Sequence, residues 1–316
     1  MKNRKILAVY NTCGIKGDNT EWYVKSIDSL LKQGFGEQKI VLSSCLNSPE
    51  CFKKIYETFG NKISYCYHGD PHTVNVTFNK TVQECVKHFG EFEGYLYVDS
   101  GVIFDSPHVV QRAYDLYKSG PHAFVSVQVD TDTGFDQIGL EHEAKDAIQI
   151  KENDFVVPLG TACNLHSQIF SNQAYTTFDN KLMPDVFKAY CTESTFSFLC
   201  AALQKKWVIL KDLVVHHKKG VDGASASVPH WSPVYNNPWN NLLCGRNALD
   251  FINDREAIEA GLGYEECNKV MLHDPTKYDD NGYSKNPQKL IEMIKKHFFL
   301  TKEELDYDTM RCRFIP

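Results

Sequence analysis

The chain has 316 residues, enough for one large domain, or a domain with an extension, built around a sizeable core. Hydrophobic residues make up 42% and charged residues 23%, ordinary values for a soluble globular protein; the formal net charge of -6 excludes a global basic field that would draw in nucleic acid or an anionic membrane. No stretch approaches the roughly 20 apolar residues of a membrane-spanning helix.

The N-terminus is basic and then apolar, but its apolar run stops at Asn11, too early for a signal-peptide core; Lys5 to Tyr10 reads instead as a first strand. Glu21 to Gln33 reads as an amphipathic helix, with Trp22, Ile27, Leu30 and Leu31 at helical spacing and Asn19 or Thr20 as its cap. Lys39 to Leu42 is a second strand, and Pro49 to Phe59 a second helix ended by Gly60. Ile63 to Tyr67 is a third strand. Thr77 to Phe89 is a third helix, with Phe78, Val82, Cys85, Val86 and Phe89 on one face. Tyr95 to Val98 is a short apolar strand that ends on Asp99. This alternation over the first hundred or so residues predicts a parallel, doubly wound sheet.

Beyond it, Ala123 to Val129 alternates as a strand, residues 130–154 are polar and irregular, and Phe155 to Leu159 fits another short strand. Thr192 to Gln204 is a helix carrying Phe196, Leu199, Cys200 and Leu203. Trp207 to Leu210 and Leu213 to Val215 are short strands that lead into His216 and His217. A Gly-, Ser-, Ala- and Pro-containing loop follows to about Pro238, where Trp231, Tyr235 and Trp239 form either a stacking lid over a ligand or a seam that packs the C-terminal extension on the core. Gly261 to Pro316 is largely polar and helical, clearest at Leu290, Ile291, Met293 and Ile294. The expected organisation is residues 1–220 as the principal domain and residues 221–316 as a loop and helical extension packed on it.

Eleven Cys without a C-x-x-C pair read as reduced, mostly structural thiols of a cytoplasmic protein. Asn75-Val76-Thr77 and Asn79-Lys80-Thr81 match the glycosylation sequon and read as chance matches.

Parallel sheets bind ligands beyond the carboxyl ends of their strands, so Asp99 is the first candidate for a ligand or metal site. Asn11 and Thr12 end the first strand and are placed to touch a ligand there. His216 and His217 follow a strand, where neighbouring side chains point to opposite faces, so at most one of them faces the site.

Four segments in order resemble the GT-A glycosyltransferases related to family 2 nucleotide-sugar transferases. They are Val9-Tyr10-Asn11-Thr12 followed by Ser26-Ile27-Asp28-Ser29-Leu30-Leu31-Lys32-Gln33; Lys39-Ile40-Val41-Leu42-Ser43-Ser44; Phe78-Asn79-Lys80-Thr81-Val82 ahead of Tyr97-Val98-Asp99-Ser100-Gly101; and Cys191-Thr192-Glu193-Ser194-Thr195-Phe196-Ser197-Phe198 ahead of Trp207-Val208-Ile209-Leu210 and the His pair. The resemblance covers about residues 5 to 220. It implies a GT-A type α/β/α sandwich with a mostly parallel central sheet and a helical C-terminal extension.

It further implies a transferase that moves a sugar from a UDP- or GDP-linked donor to a glycan or other hydroxyl acceptor, with Mn²⁺ or Mg²⁺ as cofactor. Tyr10, Asn11, Thr12, Ser44, Asn79, Asp99, Ser100 and Gly101 are then the donor-side residues, Asp99 and His216 the metal ligands, and Glu193 the catalytic base. The chain departs from the family pattern in two places: Gly101 stands where the second acid of the DxD motif would be, with Asp105, His216 or His217 as substitutes, and Ser43 and Ser44 replace the strand-two acid. Two other readings share the fold. A nucleotidyltransferase would carry a Gly-rich phosphate loop after strand one, which Cys13-Gly14-Ile15-Lys16-Gly17 matches only in part; a catalytically inactive sugar-binding protein would account for the lost acid.

Overall fold

The computed structural model describes residues 5–13, 19–45, 48–69, 73–131, 134–135, 149–151, 154–157, 159, 166–186, 192–217, 254–265 and 270–316. Its first half runs β1 (Ile6–Cys13), α1 (Thr20–Leu31), β2 (Gln38–Cys45), α2 (Pro49–Phe59), β3 (Ser64–His68), α3 (Val74–Phe89) and β4 (Gly94–Val98). These strands are parallel neighbours in the order β3-β2-β1-β4.

Local chemistry sets the helix ends. The Ser48 hydroxyl accepts from the Cys51 N–H and Pro49 takes the first helical position of α2. Gly60 then ends that helix at φ 47°, in the left-handed region that glycine tolerates. Thr73 caps α3 by accepting from the Val76 N–H, so the helix begins at Val74, ahead of the apolar stripe that marks it in the sequence.

The second half adds β5 (Val102–Phe104), α4 (Val109–Lys118), β6 (His122–Thr131), β7 (Gly134–Phe135), β8 (Gln149–Lys151), β9 (Asp154–Val156) and β10 (Ser167–Ser171). Then come α5 (Asn172–Thr177), α6 (Thr192–Ala202), β11 (Lys206–His217), α7 (Arg255–Glu259), β12 (Leu262–Glu265), β13 (Val270–His273), α8 (Pro287–Phe298) and β14 (Cys312–Ile315). The main sheet is ordered β14-β3-β2-β1-β4-β10-β6-β11-β9-β8, with β5 paired to β11 and β7 to β6. Strand β10 is antiparallel to both β4 and β6, whereas β6 and β11 are parallel. At the start of β4, a Cβ on Gly94 would lie 2.9 Å from Ile6 Cδ1 and 3.3 Å from the Phe170 carbonyl oxygen, so a larger residue there would force its neighbours on β1 and β10 to give way.

Alternation along each strand divides the core into two layers. Leu7, Val9, Val41, Tyr95 and Tyr97 face α3, α6 and α8, meeting Phe78, Val82, Phe196, Leu290 and Ile294. Ile6, Ala8, Tyr10, Leu42, Leu96 and Val98 face α1, α2 and α4, meeting Tyr23, Ile27, Leu30, Ile55 and Val110. Helices therefore cover both faces of a mostly parallel sheet.

The C-terminal segment is more than helical. Helix α8 packs on α6, and β14 adds an antiparallel edge strand to β3. A buried polar knot fastens it. The Asn79 carbonyl accepts from the Leu182 and Met183 N–H groups at 3.0 Å each, and its amide donates to the Met183 carbonyl at 2.8 Å. Lys80 Nζ donates to the Tyr307 carbonyl at 2.6 Å, while the Tyr307 hydroxyl donates to Asp185 Oδ2 at 2.7 Å. Asn75 is buried too, with its amide on the Pro184 carbonyl at 2.9 Å, so both sequon asparagines are packed inside the fold. The domain boundary expected near residue 220 lies outside the described residues. Among the described residues no helix is long and apolar enough to cross a membrane.

Candidate functional site

The site is built on the turn that ends β4. The Val102 N–H returns to the Asp99 carbonyl at 3.1 Å, which reverses the chain into β5. Three side chains from the β1/α1 layer hold this turn by its carbonyls. The Tyr10 hydroxyl donates to Ser100 O at 2.6 Å, the Trp22 indole N–H to Gly101 O at 3.3 Å, and the Ser26 hydroxyl to Val102 O. Burial pushes the Tyr10 phenol well above its ordinary pKa, so it stays a proton donor.

Two other strands then converge on Asp99. In the antiparallel pairing of β10 with β4, the Asp99 N–H donates to the His166 carbonyl at 2.9 Å. That register places His166 Nδ1 3.2 Å from Asp99 Oδ2. On the other side, β5 pairs antiparallel with the end of β11, setting His217 opposite Val102. His217 Nε2 lies 3.8 Å from the same Asp99 Oδ2. The two imidazoles stack on one another, 3.9 Å between centroids and 24° between planes. Asp99 Oδ1 points away from them and accepts the Ser100 N–H at 2.8 Å.

The result is a sheltered cluster of one carboxylate and two imidazoles. Asp99 and His166 have side-chain exposures of only 17% and 14%, and His217 of 2%. Burial pushes the Asp99 carboxyl up, but the His166 hydrogen bond, the charges His166 and His217 can carry, and the Ser100 N–H outweigh it. The carboxyl sits below its ordinary value. One ligand atom from each of the three residues lies within 4.8 Å of the other two, a donor set that fits a divalent cation.

The two strand-end histidines separate as alternation requires. His217 joins the cluster, whereas His216 pairs with Ile103 and points to the other face. Ser100 and Gly101 form the turn itself, and Tyr10, fully buried, reaches the site only through its bond to Ser100. Asn11 and Thr12 lie at the end of β1, opposite Ser43 and Ser44 of β2. Asn11 is 4% exposed, and its Oδ1 has no hydrogen-bond partner among the described residues. The Thr12 hydroxyl donates to the Ser43 carbonyl at 3.3 Å. In place of strand-two acids stands a buried polar triangle: Thr81 Oγ1 lies 2.9 Å from Ser43 Oγ and 3.0 Å from His68 Nε2. Asn79 is engaged with the 182–183 backbone instead of facing this end of the sheet with a free amide.

Glu193 lies in the first turn of α6, though its side chain falls outside the described residues, as do residues 14–18, 160–165 and 218–253. That excludes the partial phosphate-loop segment and the Trp231, Tyr235 and Trp239 region from description. His166 has no signal of its own in the sequence. Only the antiparallel register of β10 brings it to Asp99, and Ser167–Ser171 carries too many polar residues to read as a central strand.

No family model and no curated protein matches the sequence. Solved structures do match the fold. The mannosyltransferase PcManGT from Pyrobaculum calidifontis, in complex with GDP-Man and Mn²⁺, superposes with a TM-score of 0.53 at 11% identity, over 75% of this chain and 66% of that one. S. aureus TarS gives 0.51 at 13% identity, over 84% of this chain and 44% of that one. GalNAc-T7 with UDP, GalNAc and Mn²⁺ gives 0.50 at 10% identity, over 69% of this chain and 44% of that one. This chain thus spans less than two thirds of the length of each of these three. The fold is GT-A-like: a mixed α/β architecture with a mostly parallel central sheet.

Proposed function

We propose that this chain is a glycosyltransferase that moves a sugar from a UDP- or GDP-linked donor to a hydroxyl acceptor. One observation carries the reading: the Asp99, His166 and His217 cluster lies at the carboxyl end of β4, where a parallel sheet takes its ligands. The GT-A-like architecture supports it, since two of the matched structures hold a nucleotide or nucleotide sugar together with Mn²⁺.

Breaking the bond between sugar and nucleoside diphosphate builds negative charge on the departing phosphate. A divalent ion held by Asp99 with the strand-end imidazoles would supply the neutralising charge. The chain's own contribution is placement. Tyr10, Trp22 and Ser26 fix the turn that presents Asp99, and the Ser100 N–H orients its carboxylate. Asn11, Thr12 and Ser44, at the ends of β1 and β2, would meet the nucleoside through neutral hydrogen bonds. The Asn11 Oδ1, buried with no partner among the described residues, would gain one from a bound donor. Glu193, at the start of α6, would take the proton from the acceptor hydroxyl. The location is cytoplasmic, from the thiol-rich composition.

The test is nucleotide release from a panel of UDP-, GDP-, CMP- and TDP-sugars, with and without Mn²⁺. Metal-stimulated release from one donor is expected, and it should be lost in Asp99→Asn. Release of pyrophosphate from a nucleoside triphosphate and a sugar phosphate would replace this reading with nucleotidyl transfer. Saturable donor binding without any turnover would replace it with an inactive sugar-binding protein.

A further inference from the structure

We propose that the groove between α3, α5 and the C-terminal segment is a second binding site, one that takes a neutral oligosaccharide. It lies apart from the Asp99 cluster and does not rest on sugar transfer.

The groove has a volume of about 660 Å³, within the roughly 300–1,000 Å³ of pockets that hold a ligand of a few rings. Glu91, on its lining, precedes β4, and Tyr175 packs its ring on Tyr95 of that strand at 5.0 Å between centroids. Strand β10 runs antiparallel to β4 and ends opposite Gly94, so α5 begins at the amino end of β4, whereas Asp99 follows its carboxyl end. The five residues of β4, roughly 16 Å of strand, lie between the two.

The polar side chains of the groove are already fixed. Lys181, 9% exposed, donates to the Leu300 carbonyl at 2.6 Å and lies 3.1 Å from the buried Asp185. The Tyr307 hydroxyl donates to the same carboxylate at 2.7 Å, and the Lys181 ammonium lies 5.1 Å from the centre of the Tyr307 ring. Burying an ion pair costs desolvation, so this one is weak as a source of stability; what it supplies is a rigid polar floor. On the rim, Asp179 and Asn180 both take left-handed backbone, at φ 55° and 62°, which residues with a Cβ seldom adopt in succession. Lys295 Nζ holds Asp179 at 2.7 Å, and the Gln83 amide donates to the Asn180 carbonyl at 3.1 Å. Groups ordered before a ligand arrives lose little freedom when it binds.

The lining chemistry selects the ligand class. Four lysines face four acids, so the groove has no net charge with which to hold a phosphate-rich or a cationic ligand. The opposite charges stand side by side: Asp308 lies 3.2 Å from Lys87 and 3.5 Å from Lys302. An ammonium and a carboxylate offer more donors and acceptors than one ion pair uses. A hydroxyl donates and accepts at once, so hydroxyls on neighbouring carbons match such pairs. Val86, Phe299 and Leu305 give the lining apolar surface for the C–H face of a sugar ring. A wholly apolar ligand would strip water from the charged groups and return no hydrogen bond.

The experiment titrates the full chain, in chelator and without nucleotide, with neutral trisaccharides of glucose, mannose, galactose and N-acetylglucosamine, read by calorimetry. At least one should bind saturably, one per chain, with an affinity that high salt leaves unchanged. Asp308→Ala, at a side chain 65% exposed and so safe for folding, should weaken it about tenfold, the loss of one hydrogen bond to a charged group. Leu305→Trp, which fills the groove, should abolish it, and Asp99→Asn should bind as wild type does. Binding by none of the trisaccharides overturns the proposal, and so does binding that Asp99→Asn removes and Leu305→Trp keeps. Capture of inorganic polyphosphate in place of the sugars, lost in high salt, overturns the neutral-ligand assignment. Should Leu305→Trp fail to fold, Asp308→Ala against Asp99→Asn decides. Trisaccharide binding without turnover of any nucleotide sugar would sink the transferase reading and leave this one standing; turnover with no binding in the groove would do the reverse.

Discussion

The Tyr10 hydroxyl and the Ser100 carbonyl lie 2.6 Å apart, so a residue of the first strand holds the turn that carries Asp99. Both residues are buried, Tyr10 at 0% and Ser100 at 1% exposure, and the carbonyl cannot turn to water if the phenol is lost. Tyr10→Phe keeps the ring and its packing but removes the donor. It should cost about 1–3 kcal/mol in urea unfolding, the range for orphaning a buried acceptor. It should also weaken Mn²⁺ binding, because the Asp99 turn loses one of its three carbonyl anchors. A variant with wild-type stability and ion affinity would show that Trp22 and Ser26 suffice.

Asn79 is argued on stability alone. Its one side chain satisfies the Leu182 N–H, the Met183 N–H and the Met183 carbonyl. In Asn79→Ala those buried groups lose their partner together, at a cost of about 2–4 kcal/mol. Ion binding at Asp99 should persist in whatever fraction remains folded. An equal loss of ion affinity per folded molecule would instead tie Asn79 to the site.

Asp254 gives the fold an acid-sensitive fastening. Its carboxyl is held well below the usual range, first by Lys296 Nζ at 2.5 Å; burial opposes this, and the Ala257 and Glu256 N–H groups and His297 add to it. A carboxyl depressed in the folded state stabilises above its unfolded pKa of about 3.9, and that contribution is lost as pH falls toward the folded value. Wild type should therefore exceed Asp254→Asn in stability at pH 7, with the gap closing below about pH 4. A gap that is the same at pH 3 as at pH 7 would contradict the charge-based account.

The first half of the fold was legible because its signals are local. Alternation on β1, the stripe Phe78, Val82 and Cys85 on α3, and the Ser48-Pro49 start and Gly60 stop of α2 each announce themselves within a few residues. The second half hides its signals in tertiary pairing. Gln168 is fully buried in the centre of β10, where its carbonyl accepts from Ser126 Oγ at 2.7 Å, so the strand carries a polar residue at a core position. Helix α4 is short, ten residues, and its N-cap His108 is not one of the residue types that mark a helix start. Strand β11 reads as two pieces because Lys211 and Asp212 interrupt its apolar run, yet the ladder continues across the irregularity between Leu210 and Val214. Asp99 was visible as a strand-end acid, but His166 follows only from a register that no short window of sequence contains.

The sharpest contrast lies between two adjacent histidines. His217 is 2% exposed at the side chain and sits beside Asp99, while His216, one residue earlier on the same strand, points to the opposite face. His217→Ala should reduce Mn²⁺ affinity by about tenfold or more, and with it any metal-stimulated release of nucleotide. His216→Ala should leave ion affinity within error of wild type and shift stability by about 0.5 kcal/mol or less, as for other partly exposed positions. Isothermal titration of both variants with Mn²⁺ reads the difference directly. Equal affinities would remove His217 from the ligand set. A loss confined to His216→Ala would mean that the strand end rotates when an ion binds, and would transfer the ligand role to its neighbour. The order His217 below His216 is the outcome that the pairing of β5 with β11 dictates, because Val102 and His217 share one rung of that ladder directly beside the Asp99 turn.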